Sequence, residues 1–169
     1  VSLLMALIWS GSTWLYQSRL FSVTAFISLA ISFYRIGDIF DAEIEFYFVM
    51  LGLAALIGLA GVFLLKKRKD AAFALPLFIS AQVLEAAILL ISISAFAVKV
   101  FDPGTSTSLL WNLAHIFTWI FAFIFYVISD SLYPFLFFPW LAAGTLIPIP
   151  WFIGTAFDLE SLGATILLL

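Results

Sequence analysis

Residues 46–65 read FYFVMLGLAALIGLAGVFLL and are followed at once by Lys66-Lys67-Arg68-Lys69-Asp70. The twenty residues before the lysines carry no charge. An α-helix rises about 1.5 Å per residue, so twenty residues cover about 30 Å, the thickness of a bilayer's hydrocarbon core. The run shows no alternation of apolar and polar positions, which excludes a barrel strand. This segment is predicted to be a membrane-crossing helix, stopped by a basic tetrad held among the headgroups.

The composition extends that prediction to the whole chain. Of 169 residues, 65% are apolar and only 10% charged, where a soluble domain carries about 25% charge. A water-soluble fold would have too few polar groups to cover its surface. In hydrocarbon the constraint moves to the backbone, whose polar groups must bond internally, and that leaves helices.

Five more segments read in the same way: 1–16, 20–34, 71–98, 105–128 and 135–152. The first lacks a basic leader and a clear small-residue cleavage site, so it is read as a membrane helix and not as a signal peptide. Gln17-Ser18-Arg19 divides 1–34 into a pair of helices, in preference to one long tilted helix. Residues 35–45, RIGDIFDAEIE, are expected to form a polar loop. Asp102-Pro103-Gly104 has turn composition, and Thr105 or Ser106 is available to cap the following helix. A short loop is expected at 129–134. Pro139, Pro148 and Pro150 should kink the last full segment and unwind it near its end. Residues 158–169 start like a helix, but twelve residues reach only about 18 Å. The expected architecture is all-α: a polytopic transmembrane helix bundle of about six spans with a partial C-terminal seventh, residues 1–169 forming a single domain.

Basic residues favour the inner side of a membrane. With Lys66, Lys67, Arg68 and Lys69 placed in the cytoplasm and the helices alternating, Arg19 falls inside as well. Only Arg35 and Lys99 fall outside, together with Asp38, Asp41, Glu43, Glu45, Asp102, Asp158 and Glu160. The N-terminus is then outside, in what is expected to be the cell membrane. The tetrad serves as a topology anchor and can bind anionic lipid headgroups at about 1 kcal/mol per charge.

Two ionisable residues fall well inside the expected spans. Glu85 sits near the middle of 71–98, with Gln82 one turn earlier on the same face. A charged group at mid-membrane costs about 2.5–3.5 kcal/mol on insertion scales, which makes it a candidate functional site by default. The structural counterpart is a protonated glutamic acid that hydrogen-bonds a neighbouring helix. His115, the one histidine, shares a helix face with Asn112 and Trp119. Counted from the helix ends, Glu85 and His115 fall within about one turn of the same depth. A Glu85–His115 pair flanked by Gln82 and Asn112 would relay a proton or hold a polar ligand; the plainer alternative, favoured here, is an interhelical hydrogen bond worth about 0.6 kcal/mol.

Other features carry less. Asp38, Asp41, Glu43 and Glu45 would form a cation-attracting mouth, against the simpler reading of a solvated loop with an Arg35–Asp38 salt bridge worth about 0–1 kcal/mol. Gly52, Ala54, Gly58 and Gly61 make a small-residue face that permits close helix approach. Trp140, Trp151, Tyr133 and Tyr16 fit an interfacial belt. The chain has no cysteine, which removes thiolate chemistry, and neither HExxH nor GxSxG occurs. A lone histidine argues against intrinsic haem; no cofactor is identified. No basic patch points to nucleic acid.

The sequence therefore supports a non-catalytic multi-pass subunit or sensor-like module packing against partner helices or against itself. A small transporter or channel using Glu85 and His115 is the alternative, and a lipid- or quinone-reactive enzyme the third class.

Overall fold

The computed structural model describes residues 2–16, 19–39, 44–68, 71–101 and 108–157. The described residues form seven helices. These are α1 (Ser2–Tyr16), α2 (Arg19–Ile39), α3 (Ile44–Lys67), α4 (Ala71–Phe101), α5 (Leu109–Leu132), α6 (Phe137–Leu146) and α7 (Pro148–Ala156). The fold is an all-α helical bundle without strands among the described residues. Five stretches are long and apolar enough to cross a membrane: Ser22–Ile39, Glu45–Lys67, Ala72–Ala97, Leu109–Leu132 and Phe137–Ala156. The N-terminal helix is shorter, with an apolar stretch over Leu3–Ser12. Residues 158–169, expected to start a seventh crossing, lie outside the described residues.

The chain divides into two compact units, Val1–Ala86 and Ala87–Leu169. In the first unit α1 and α2 are separate helices packed on each other, as the break at Gln17–Arg19 implies, and α2 packs on α3. Gly58 lets them approach closely. A Cβ there would lie 2.6 Å from the Phe26 ring and 3.4 Å from Ala81 Cβ. Ala54, Ala55 and Leu59 are fully buried beside it. The small residues of α3 thus serve packing.

The helix between residues 35 and 39 corrects the expected loop. Arg35 Nη1 donates to Asp38 Oδ2 across 3.2 Å, one helical turn away, and Tyr47 Oη donates to Asp38 Oδ1 across 2.9 Å. The Tyr34 and Tyr47 rings meet at 4.7 Å. Polar residues there bond along and between helices, so the helix continues to Ile39 and α3 starts at Ile44.

In the second unit α5 starts later and ends later than its composition implies. Its cap is Ser108, whose Oγ accepts from Trp111 N at 3.0 Å; Thr105 and Ser106 lie outside the described residues. At the other end the helix runs through 129–132 to Leu132, because Ser129 and Ser131 are tolerated in a helix, and Ser131 Oγ donates back to Val127 O at 3.1 Å. α6 and α7 both pack on α5. They are one apolar stretch broken at Ile147, and the cause is local. Pro148 has no N–H to offer Gly144 O, and Ile147 N takes that carbonyl instead in a tighter turn at 3.3 Å. Pro139 falls in the first turn of α6, where a missing N–H costs nothing.

α5 shows which solvent the chain expects. It buries Asn112, His115, Thr118 and Ser129, and it exposes Leu109, Leu110, Phe117, Ile124, Val127 and Ile128. Its buried face mixes these polar groups with Ala114, Trp119, Ala122 and Phe125, while its exposed face is apolar, the reverse of the exposed face on a water-soluble protein. It is the arrangement hydrocarbon demands.

Candidate functional site

Gln82 and Glu85 belong to the first unit, Asn112 and His115 to the second. On α4, Ala74, Phe78, Ala81 and Glu85 recur at intervals of four, three and four residues, which places them on one helical face. All four are buried, Glu85 to 1% exposure. Its two carboxyl oxygens have no hydrogen-bond partner among the described residues. Gln82 is half-buried.

The second unit holds a denser cluster around His115, which is 1% exposed. Ser92 Oγ lies 3.0 Å from His115 Nδ1. With Nδ1 as acceptor the serine donates and the ring proton sits on Nε2; with the proton on Nδ1 the imidazole donates to the serine. The ring lies flat against Phe152, centroids 5.0 Å apart and planes 8° from parallel, and Trp111 meets it at 4.2 Å with planes at 60°. Phe152 is held in turn by Phe96 at 5.7 Å and Trp151 at 5.2 Å. The break at Ile147 has a consequence here, since it sets the course of the short helix that carries Phe152 and Thr155. Thr155 Oγ1 lies 3.0 Å from Asn112 Oδ1 and 3.1 Å from Phe152 O, so its one proton is placed between two acceptors. Further along α5, Thr118 Oγ1 donates to Ala114 O at 2.9 Å, and the buried Trp119 Nε1 has no partner among the described residues.

Ser92, Thr155, Trp111 and Phe152 were not among the residues singled out from the sequence. Ser92 follows Gln82 and Glu85 at helical spacing (i, i+3, i+10), which is the signal that was there to find. Trp151, expected in an interfacial belt, packs on Phe96 at 5.0 Å; Trp140 is 73% exposed.

Two of the four acidic residues predicted to cluster near the α2–α3 connection, Asp38 and Glu45, are among the described residues. Asp38 is engaged by Arg35 and Tyr47, and Glu45 falls in the first turn of α3, where a negative charge suits the helix dipole. Asp41 and Glu43 lie outside the described residues, as does Lys69; Lys66, Lys67 and Arg68 are exposed at the end of α3. Among the described residues no three of His, Asp or Glu converge to hold a metal ion.

Comparison with protein-family models, with curated proteins and with solved structures finds no match for this chain. The class is therefore defined by the molecule itself: a helical bundle with five helices long and apolar enough to cross a membrane.

Proposed function

We propose that this chain is a non-catalytic, multi-pass membrane module that works by packing against partner helices. The observation that carries this reading is the setting of His115. The histidine is closed in by Ser92, Trp111 and Phe152. Asn112 is likewise bonded to Thr155. These side chains act as interhelical bonds, the use most polar groups in membrane helices serve. Large aliphatic residues such as Leu3, Leu4, Leu7 and Ile8 on α1 stand exposed and are available to lipid or to another helix. The excess of basic residues at 66–69 supports a cytoplasmic position for that loop, an external N-terminus and residence in the cell membrane.

The test is detergent-free extraction of the chain from its native membrane into polymer-bounded lipid discs, followed by mass measurement. Co-extraction at fixed stoichiometry, as a self-assembly or with another membrane protein, is expected. A single 18.8 kDa chain in every disc overturns the reading.

One observation favours a second reading, a proton- or polar-ligand-handling protein. Glu85 is buried without a hydrogen-bond partner among the described residues, and such a group in a membrane helix is a functional candidate. Flux across liposomes that is lost in Glu85→Gln would establish that reading in place of the first.

A further inference from the structure

We infer that the first unit holds one acyl chain of an anionic phospholipid in a groove between its helices, with the phosphate against the basic end of α3. This goes beyond the proposed packing role and rests only on the chain being embedded in a bilayer. The groove has a volume of about 370 Å³ and is lined by residues of α1, α2, α3 and α4, among them Ala6, Ala25, Gly58, Gly61 and Leu77. That is within the range of small-molecule sites. Its chemistry is that of hydrocarbon. The two hydroxyls on its wall, Ser10 and Ser22, are spent on their own helices, bonded to Ala6 O at 2.7 Å and Arg19 O at 2.8 Å. Among the described lining residues no side-chain polar group is left over to select a polar ligand.

Position names the occupant. On α3 the lining runs from Ile57 to Leu65, and on α2 from Ser22 to Leu29. Ile57 is ten residues from Lys67 and Leu29 ten from Arg19, so the groove reaches about 15 Å from those charges. That is half of a core about 30 Å thick, the depth of one leaflet. Just beyond the lining, three residues before Ser22 on α2 and two and three residues after Leu65, stand the exposed cations Arg19, Lys67 and Arg68. An apolar slot one leaflet deep under a cluster of positive charge is complementary to an anionic lipid, and basic pockets between membrane helices take such headgroups. An anionic headgroup suits Arg19, Lys67 and Arg68 while its acyl chain fills the slot, a match that an apolar partner helix does not make.

The experiment is native mass spectrometry of the purified full chain in mixed micelles. It is titrated with phosphatidylglycerol or with phosphatidylcholine bearing the same acyl chains. Phosphatidylglycerol is expected to saturate at one molecule and to outbind phosphatidylcholine. Lys67→Gln with Arg68→Gln should erode that preference by about 5-fold per charge removed. Ala25→Phe, which fills the groove, should weaken both lipids. Since that variant risks misfolding, the wild type is also titrated with lysophosphatidylglycerol, expected to bind, and with chainless glycerophosphoglycerol, expected not to. Equal binding of the two phospholipids, unsaturable adducts, undiminished binding to a folded Ala25→Phe chain, or binding of glycerophosphoglycerol as tight as that of the lipid would each overturn the inference.

Discussion

Replacing His115 and Ser92 singly and together tests whether the cluster on α5 acts as a structural bond. His115→Ala removes three things: the contact with Ser92 at 3.0 Å, the stack on Phe152 at 5.0 Å and the edge contact with Trp111 at 4.2 Å. A hydrogen bond between membrane helices averages about 0.6 kcal/mol and reaches about 1.7. Each ring contact adds roughly 0.5–1.5 kcal/mol. The total loss is therefore about 2–4 kcal/mol. His115→Phe keeps a ring and loses the bond. The stranded Ser92 hydroxyl can then turn to the carbonyl one turn earlier, as Ser10, Ser80 and Ser94 already do. That variant should cost only about 0.6–1.7 kcal/mol, close to Ser92→Ala. The double variant Ser92→Ala/His115→Phe should lose less than the sum of its parts, by a coupling of about 0.6 kcal/mol. Reversible unfolding in mixed micelles titrated with sodium dodecyl sulfate gives all four stabilities. Strict additivity would refute the bond. A His115→Phe loss as large as that of His115→Ala would refute the assignment of most of the energy to the rings.

Gly58→Ala should destabilise the first unit by about 1–3 kcal/mol, since the added carbon would sit 2.6 Å from the Phe26 ring. Adding Phe26→Leu should recover part of the loss in the same unfolding assay, and no recovery would contradict the contact. Gly144→Ala meets nothing within 4 Å and should be neutral or stabilising by up to about 1 kcal/mol; a clear loss would place an unrecognised neighbour there. Glu85→Leu should raise stability by about 1–3 kcal/mol, since the buried carboxyl has no hydrogen-bond partner among the described residues; a fall would reveal a partner for it. Because the chain has no cysteine, single cysteines at Asp38 and Lys67 can be labelled from either side of sealed vesicles. Opposite accessibility is expected, with Lys67→Cys reached from the cytoplasmic face. Labelling of both from one side would contradict the crossing of α3.

The crossing helices were legible because hydrocarbon imposes a simple demand on residues 46–65 and their counterparts: length and the absence of charge. Their ends were not. Arg35 and Asp38 look like loop residues by composition, yet at a spacing of three they join across one helical turn and prolong α2. Ser129 and Ser131 misled in the same direction, since in a membrane helix a serine has a ready acceptor in its own backbone. The break at Pro148 was readable in position, but the helix resumes there where unwinding was expected. Pro148 breaks the helix, while Pro139 falls in a first turn and Pro76 lies inside α4.

The candidate site divides along another line. Glu85 and His115 stood out because ionisable residues are rare in such segments. Their partners did not, since a serine that bonds to its own backbone and a serine that bonds across helices are the same letter. Ser92 and Ser94 lie two residues apart on α4; one reaches His115 and the other returns to Leu90 O at 2.8 Å. Two residues turn a helix by about 200°, so Ser92 falls on the buried face of Glu85 and Ser94 on the exposed one. The two ionisable residues then part company. His115 has a bond to Ser92 and ring contacts with Trp111 and Phe152. Glu85 has no such partner among the described residues, and an unanswered buried carboxyl costs more than an apolar residue in its place. Each proposed reading gives Glu85 a use, a bond to a partner helix in the first and a proton to move in the second. Both functional readings therefore meet at Glu85, and its substitution discriminates between them more sharply than any change at the histidine.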